Sequence, residues 1–341
     1  MDHYLPKIFV VPFLLATLFL NSCQHKSKTI SFYYWKTSFH LNPEEVEAIK
    51  YNQVSTIYTR YCDIDFAPGD AKPKPISPIQ FDTSTLFSQI IPVIYIKNRV
   101  FEKLDTAGIL LLCQNISKLT NGINQSIRQS PSEIQFDCDW TENTKDNYFL
   151  FLRRYKAMSG LKISATIRLH QVKYPERTGI PPVDYGVLMY YNMGEINAGE
   201  NSSIYEKSIA EKYNAFIKNY PLRLDAALPI FSWSQLVSEG KVMKLLNKMN
   251  FMDFENDSNF TTLKKGWFSV KHSCFHEGYY FKETDQVKIE QVSEKDLMDI
   301  IEQLNKHASK PIQRLIFYDL DKTNLQLYEK DIFKKMVAHL D

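Results

Sequence analysis

Glu133-Ile-Gln-Phe-Asp-Cys-Asp-Trp140 alternates as an amphipathic strand does, and it ends in two carboxylates and an indole. Successive side chains of a strand point to opposite faces. Gln135, Asp137 and Asp139 therefore share one face. The opposite face is apolar and carries Ile134, Phe136 and Cys138. Because a fold rarely buries acids together without a use for them, we predict a barrel strand that packs under helices and presents its acids to a site.

Seven other stretches have the β-branched and aromatic content of strands. The eight predicted strands are 29–36, 54–65, 89–98, 133–140, 162–170, 185–193, 223–233 and 313–320. Most are followed by predicted helices, which begin at Asn42 and then cover 105–126, 144–158, 203–219, 293–307 and 325–340. Strands that alternate with helices indicate a parallel sheet, and eight such units predict a (β/α)8 TIM barrel. A doubly wound open sheet is the alternative.

The pattern is less regular between the seventh and eighth strands. There we predict a helix over 233–249 and a small insertion of extended segments over 266–291. The chain has only 11 glycines, and no Gly-rich phosphate loop follows the first strand, so a dinucleotide-binding fingerprint is absent from the sequence. We therefore predict that residues 29–341 form a single barrel domain without a cofactor.

Composition narrows the range of partners. The net charge of the 341 residues is +2, which gives no global field that would attract nucleic acid, and we predict no nucleic-acid partner. Aromatic residues make up 13% of the chain. They indicate either core packing or a surface on which sugar rings stack. The oligomeric state is left open by the sequence.

The first 22 residues have the features of an export signal. Lys7 precedes an apolar run from Ile8 to Leu20, which is too short for a membrane span and typical of a signal peptide. Leu20-Asn-Ser-Cys23 resembles the lipobox of bacterial lipoproteins, which implies that Cys23 is lipidated and that residues 23–28 form a tether. We expect a protein of the bacterial cell envelope that is anchored to a membrane through Cys23. A plain signal peptide or a tail anchor is the alternative.

Polar and aromatic side chains recur at the predicted C-terminal ends of the strands, which form the functional face of a (β/α)8 barrel. The candidate catalytic residues are Asp137, Asp139, Tyr191 and Asn192. The candidate substrate-binding residues are Trp35, Asp63, Asp65, Trp140, Arg168, His170 and Trp233. A ligand site is our interpretation of this pattern, and strand ends that are merely solvated are the alternative.

Paired carboxylates near aromatic walls suit glycoside cleavage, in which one acid protonates the leaving oxygen. Arg168 is suited to orient a carboxylate through two parallel hydrogen bonds. A purely structural ion pair between an aspartate and Arg168 or a lysine is the alternative for Asp137 and Asp139. Ser232 lacks the Gly-x-Ser-x-Gly setting of a serine hydrolase.

A metal site is a weaker interpretation of the same acids. Carboxylates bind hard divalent cations, and the available ligands are Asp63, Asp65, Asp137, Asp139 and His170. The sequence contains no close pair of histidines near these strand ends, and its cysteines are irregularly spaced without a Cys-x-x-Cys pair. We therefore predict no metal.

Two motifs resemble the chitinase-like family 18 glycoside hydrolases. The segment 136–141, Phe-Asp-Cys-Asp-Trp-Thr, resembles their Asp-x-Asp-x-Glu strand, and 188–192, Leu-Met-Tyr-Tyr-Asn, resembles their Met-x-Tyr-Asp strand. The resemblance implies a barrel in which Asp137, Asp139 and Tyr191 take the places of the family's aspartates and tyrosine. In that family the final Glu donates the proton, and the acetamido group of the substrate is the nucleophile.

This chain departs from the family pattern at two positions. Thr141 stands where the acid Glu is expected, and Asn192 stands where the Asp is expected. Glu142 is one residue out of register and would point to the other face of a continuing strand. The mechanism of the family therefore does not transfer unchanged to this chain.

A second resemblance covers the stretch from Glu133 to Trp233. It is carried by Ile-Arg-Leu-His-Gln (167–171), Gly-Ile-Pro-Pro-Val-Asp (179–184), Tyr-Asn-Met-Gly (191–194) and Ala-Leu-Pro-Ile-Phe-Ser-Trp (227–233). These motifs resemble an uncharacterised family of bacterial lipoproteins with a predicted barrel. The resemblance implies a fold and a cellular location, and it brings no established activity.

We therefore expect a glycan-active lipoprotein with a glycoside-hydrolase-like barrel and a carbohydrate ligand. Whether the protein is an enzyme is left open by Thr141. The alternatives are a non-catalytic barrel that binds glycan and a structural module of the envelope.

Overall fold

The computed structural model describes residues 28–82, 89–247 and 249–341. The strands are β1 (Thr29–Tyr34), β2 (Ser38–Phe39), β3 (Thr56–Asp65), β4 (Lys74–Ile76), β5 (Gln80–Phe81), β6 (Ile90–Ile96), β7 (Glu133–Asp137), β8 (Lys162–Arg168), β9 (Tyr185–Met189), β10 (Leu224–Pro229), β11 (Ser232–Ser238), β12 (Lys241–Asn247), β13 (Phe260–Lys264), β14 (Trp267–Val270), β15 (Cys274–His276), β16 (Tyr279–Phe281), β17 (Gln286–Gln291) and β18 (Arg314–Tyr318). The helices are α1 (Pro43–Tyr51), α2 (Arg99–Lys103), α3 (Thr106–Ser126), α4 (Lys145–Ser159), α5 (Leu169–Lys173), α6 (Pro175–Thr178), α7 (Lys207–Ile217), α8 (Phe251–Glu255), α9 (Glu294–His307), α10 (Lys322–Leu325) and α11 (Ile332–His339).

Eight parallel strands close into a barrel in the order β1-β18-β10-β9-β8-β7-β6-β3. The barrel is closed, because β1 pairs in parallel with both β18 and β3. The predicted (β/α)8 barrel is therefore confirmed, and the open-sheet alternative is excluded. Each barrel strand falls within or close to its predicted range, and β7 begins at the predicted Glu133 but ends at Asp137.

The barrel strands carry two different faces. One face packs on the outer helices, as the contacts of Phe32 with Phe333 of α11 and of Phe136 with Phe151 of α4 show, with ring centroids 5.3 and 4.9 Å apart. The other face fills the barrel, where Tyr33 Oη donates across the interior to Gln135 Oε1 at 2.7 Å. The alternation predicted for β7 therefore holds, with its polar residues inside.

Local signals set the helix starts. The Asn42 side chain accepts a hydrogen bond from the Glu45 N–H at 2.9 Å, and the Glu45 carboxylate accepts from the Asn42 N–H at 3.2 Å. This capping box, with Pro43 at the first helical position, satisfies donors that a helix start otherwise leaves unpaired.

The barrel interior is closed at the N-terminal ends of the strands by a polar cluster. Tyr58 and Tyr185 meet with their hydroxyl oxygens 2.8 Å apart, and Tyr185 donates to the buried Glu133. Arg314 donates to both phenols, at 3.2 Å to Tyr185. This cluster fills the N-terminal end of the barrel interior with hydrogen-bonded side chains.

The insertion is larger than predicted and runs from β11 to β17. It forms a five-stranded antiparallel sheet in the order β12-β11-β17-β14-β13, with the separate hairpin of β15 and β16. The helix predicted over 233–249 is wrong, because most of this range forms the β11–β12 hairpin. Glu239 and Gly240 join its two strands with φ of 50° and 72°. Two consecutive positive φ values are typical of the tight turn that matches the twist of a β-hairpin.

The N-terminal predictions fall outside the described residues. These are the signal peptide over 1–22, the lipidated Cys23 and the tether up to residue 27. Within the described part of the chain, no helix has both the length and the apolar character needed to cross a bilayer.

Candidate functional site

Asp137 is the last residue of β7 and lies inside the barrel with 8% of its surface exposed. Thr166 of β8 donates to Asp137 Oδ1 at 2.6 Å. Burial raises the pKa of Asp137 to about 6, and the nearby negative charge of Asp139 adds to this rise, while the hydrogen bond from Thr166 opposes it. Asp137 is therefore a carboxyl group that takes up a proton near neutral pH.

Asp139 and Arg168 form a two-pronged ion pair at the mouth of the barrel. Arg168 Nε donates to Oδ1 at 2.6 Å, and its Nη2 donates to Oδ2 at 2.9 Å. Burial acts to lower the pKa of Arg168, but the hydrogen bond and the charge of Asp139 outweigh it, so the pKa is raised overall. The ion-pair alternative therefore describes Asp139 and not Asp137, and both Asp139 oxygens already have a strong partner.

Asp63 and Asp65, at the end of β3, are also engaged. Arg60 Nε donates to Asp63 at 2.8 Å. Arg99 donates to the two oxygens of Asp65 at 2.5 and 2.7 Å, and these bonds are the main reason why the pKa of Asp65 is lowered. Across residues 28–82, 89–247 and 249–341, no cluster of three or more acidic, histidine or cysteine side chains is arranged to hold a metal ion.

A cleft of 780 Å³ opens over the ends of β1, β10 and β18. Four aromatic residues form much of its wall, namely Trp35, Phe231, Trp233 and Tyr318. Tyr318 is their centre, because its ring centroid lies 5.5 Å from that of Trp35 and 5.7 Å from that of Phe231. We call this space, with these four residues, the aromatic cleft.

Apart from the buried Tyr34, the remaining lining of the aromatic cleft is polar. Asn192 is exposed there and adopts a φ of 53° in the segment that follows β9. The Lys36 ammonium lies 2.5 Å from the buried Glu45 carboxylate and 3.2 Å from that of Asp321. Asn324 Nδ2 donates to Asp319 Oδ1 at 2.6 Å. These groups offer hydrogen bonds to a ligand that lies against the aromatic wall.

The structure places the sequence-predicted residues in three settings. Trp35, Asn192 and Trp233 meet in the aromatic cleft. Tyr191 lies buried beneath it, with its ring stacked on Tyr318 at 5.4 Å. The predicted acids of β3 and β7 and Arg168 are not among the described residues that line it.

Two predicted substrate-binding residues lie elsewhere. Trp140 is 1% exposed, donates its indole N–H to the Thr178 carbonyl at 2.8 Å and packs on Tyr148, so neither ring face is open to a sugar. Its placement does not support the predicted stacking role. His170 lies at the surface on α5, where partial shielding of its ring from water and the charge of Arg168 lower its pKa.

Thr141 stands at the position that the resemblance to the family 18 hydrolases gives to the proton-donating glutamate. Thr141 is exposed and donates its backbone N–H to Thr144 Oγ1 at 2.9 Å. Glu142 is paired with Arg177 at 3.1 Å on the protein surface. Among the described residues that line the aromatic cleft there is no glutamate.

Three residues of this region are not among the predicted site residues. Tyr318 and Phe231 are central to the aromatic wall, and Thr166 holds Asp137. The alternation Arg314, Ile316, Tyr318 in β18 was a usable signal, because it places Tyr318 on the interior face with Arg314.

No protein-family model matches the chain, and no curated protein sequence does either. Solved structures do match. The spore cortex-lytic enzyme SleL of Bacillus cereus aligns with a TM-score of 0.55 and 14% identity over 93% of this chain and 75% of that chain. The chitinase-like agglutinin of Robinia pseudoacacia gives 0.50 and 10%, over 91% and 99%. A mutant class V chitinase of Nicotiana tobaccum in complex with NAG4 gives 0.50 and 10%, over 92% and 98%.

At these identities the similarity concerns the fold. The chain forms a (β/α)8 barrel of the kind found in chitinases and in SleL, with an antiparallel insertion sheet.

Proposed function

We propose that the protein is a carbohydrate-binding barrel that holds an amino-sugar oligosaccharide in the aromatic cleft and does not cleave it by the acetamido-assisted route. The observation that carries this proposal is the combination at one barrel mouth of two tryptophans in an open cleft with an exposed threonine, Thr141, at the acid position.

The aromatic wall supports a sugar ligand. Indole and phenyl rings offer flat apolar faces on which a pyranose ring stacks, and the surrounding amides and charged groups supply directional hydrogen bonds. The cleft volume of 780 Å³ is large enough for several sugar units of a chain. Glycan binding therefore fits the shape and the chemistry of this cleft better than a structural role does.

The acids support binding over cleavage by the chitinase route. In that route a free aspartate orients the acetamido group and a glutamate protonates the leaving oxygen. Here both oxygens of Asp139 accept from Arg168, and Glu142 pairs with Arg177 on the surface. Asp139 is thus engaged in an ion pair, and Glu142 is displaced to the surface.

The structural neighbours support the class of ligand. One is a chitinase in complex with NAG4, and another is a chitinase-like agglutinin. For this chain we propose only the general class of ligand, an oligosaccharide of amino sugars, because sequence identities of 10% do not support a more specific assignment.

We also propose that Cys23 anchors the protein to a membrane of the bacterial envelope. Residue 29 begins β1 at the N-terminal end of the barrel, opposite the aromatic cleft. An anchor at that end would hold the cleft away from the lipid surface. The Cys23→Ala variant should lose incorporation of a labelled fatty acid and appear in the soluble fraction. Continued lipid labelling of that variant would refute the assignment.

The binding proposal predicts a large effect of removing either indole from the cleft wall. Trp35→Ala and Trp233→Ala should each weaken binding of chitohexaose by about tenfold to a hundredfold, as loss of one stacked ring costs about 1.5 to 3 kcal/mol. Isothermal titration calorimetry measures the effect. Phe275→Ala is the control, because Phe275 is 78% exposed and lies outside the cleft lining. Equal affinity of all three variants and the wild type would contradict the proposal.

Hydrolysis is the second candidate function, and the raised pKa of Asp137 favours it. A carboxyl group with a pKa of about 6 is suited to donate a proton near neutral pH. Mass spectrometry of chitohexaose incubated with the wild-type protein distinguishes the two functions. We expect intact hexamer; shorter products that disappear in Asp137→Asn would establish the hydrolase instead.

A further inference from the structure

A buried carboxylate connects the insertion sheet to the aromatic cleft. Glu290 of β17 is 3% exposed and lies directly opposite Trp233 of β11 in the antiparallel pairing. Its Oε2 accepts from the Trp233 indole N–H at 3.0 Å and from the Ser203 backbone N–H at 2.9 Å. Its Oε1 accepts from Gln235 Nε2 at 2.7 Å. One carboxylate thus contacts the cleft wall, the insertion sheet and the segment that follows β9.

Lys288 completes this group. Its ammonium lies 2.7 Å from Glu290 Oε1 and also donates to the carbonyls of Asn197 and Asn201, at 3.2 and 2.7 Å. Lys288 is as buried as Glu290. The pair therefore fixes the 194–203 segment, which continues directly from the cleft residue Asn192.

The same segment is closed at its base by tight packing. Gly194 N–H donates to the Ser203 carbonyl at 3.2 Å. A Cβ atom at Gly194 would lie only 2.7 Å from the Ser202 carbonyl oxygen, so glycine is needed for this approach. Gly194 and Ser203 are thus held together next to the atoms that Glu290 contacts.

The hydrogen bonds explain why a charge is tolerated here. Burial acts to raise the pKa of Glu290, but hydrogen bonds from Lys288, Ser203 and Trp233 outweigh it and lower the pKa overall. A carboxylate held from four sides has a fixed position, and so does the indole that donates to it. A stacking surface gains affinity when its side chain does not have to be ordered on binding.

We propose that Glu290 is a positioning residue of the aromatic cleft, which holds the Trp233 indole in its stacking orientation and joins it to the 194–203 segment and the insertion sheet. Its effect on affinity rests on the proposed carbohydrate-binding function, whereas its effect on the indole does not.

The test compares Glu290→Gln, Trp233→Phe and the double variant. Glutamine keeps the shape of the side chain but loses the charge and one acceptor oxygen, and phenylalanine keeps an aromatic ring but loses the N–H donor. We expect each single variant to weaken binding of chitohexaose by about tenfold. If Glu290 acts through Trp233, the double variant should be hardly weaker than either single one, because the two changes remove the same bond. Additive effects would overturn the proposal.

Indole N–H signals in NMR spectra provide a readout that needs no ligand. The chain has four tryptophans, so the Trp233 signal can be assigned by its absence in Trp233→Phe. In Glu290→Gln this signal should shift and exchange its proton with solvent at least about tenfold faster, as the bond to a charged acceptor is lost. Glu255→Gln is the matched control, because Glu255 is an exposed acid of the same insertion.

The two readouts separate the possible failures. An unchanged Trp233 signal in Glu290→Gln would overturn the positioning role, whatever the affinity. If the Trp233 signal changes in Glu290→Gln but the wild-type protein binds no chitohexaose, the positioning of the indole by Glu290 stands and the proposed function is refuted. Because Glu290→Gln leaves Lys288 without its ionic partner, circular dichroism must first show a folded variant, and Trp233→Phe tests the same bond while the Lys288–Glu290 pair stays intact.

Discussion

The Asp137→Asn variant will be more stable than the wild-type protein at neutral pH, by about 1 to 3 kcal/mol. The reason is that Asp137 is enclosed in the barrel, with Asp139 nearby and a hydroxyl group, Thr166 Oγ1, as its hydrogen-bond donor. Ionising this carboxyl in the folded state costs free energy, whereas asparagine has no charge and can still accept the hydrogen bond from Thr166.

The direction of the pH dependence follows from the pKa. The pKa of Asp137 rises from 3.8 to about 6 on folding, so between these values the folded protein retains a proton that the unfolded chain has lost. The contribution of Asp137 to stability is therefore greatest below about pH 4 and declines as the pH rises through about 6. The advantage of Asp137→Asn should appear over this interval and stay constant above it.

Urea unfolding at several pH values between about 4 and 8 measures this difference. Asp139→Asn serves as the control, because it should have the opposite effect: it leaves the partly buried Arg168 without its ionic partner and should lower stability at neutral pH. A variant Asp137→Asn that is less stable than the wild type above about pH 6 would show that Asp137 has a stabilising partner in its charged form.

The strand pattern was predictable from the sequence because it depends on local side-chain alternation. Strand β8 reads Lys-Ile-Ser-Ala-Thr-Ile-Arg, and its interior residues Ser164, Thr166 and Arg168 are the polar ones. The insertion was less predictable. Glu239-Gly240 is a short turn signal without the Asn or Asp that usually marks a tight hairpin, and the apolar residues that follow it also suit a helix.

The positions of Trp140 and Trp233 were not equally predictable from the sequence. Strand β7 ends at Asp137, but Trp140 still follows its alternation, because it lies on the same outer face as Phe136 and its indole packs on Tyr148 of α4. Trp233 was expected at the start of a helix, yet it lies in β11, where Glu290 holds its indole over the cleft. Long-range contacts of this kind leave no trace in local sequence.

Which aspartate pairs with Arg168 depends on strand register. The pairing of β7 with β8 places Gln135 opposite Ser164 and Phe136 opposite Ala165. Continuing that register sets Thr166 beside Asp137, so Arg168 lies one interior position further on, beside Asp139. A shift of the strands by two residues would set Arg168 beside Asp137 and Thr166 beside Gln135, and the proton affinities of both acids would change. The candidate acids were therefore identifiable from sequence, but their separate roles were not.

The Tyr318→Ala variant should lose about 3 kcal/mol of stability and also lose binding of chitohexaose. The Tyr318 ring is the centre of the barrel mouth, with ring centroids of Tyr33, Trp35, Tyr191 and Phe231 between 5.4 and 5.7 Å away. Removing it leaves a cavity beneath the cleft, and the surrounding rings lose the surface that sets their tilt.

Tyr318→Phe is the matched control, since it keeps the ring and removes only the hydroxyl group. This variant should stay within about 1 kcal/mol of the wild type and bind chitohexaose with similar affinity. Thermal unfolding followed by circular dichroism measures the stability, and calorimetry measures the affinity at a temperature where both variants are folded. If Tyr318→Ala were destabilised but bound the oligosaccharide normally, the ligand would have to lie away from Trp35 and Phe231, and the aromatic cleft would no longer be the candidate site.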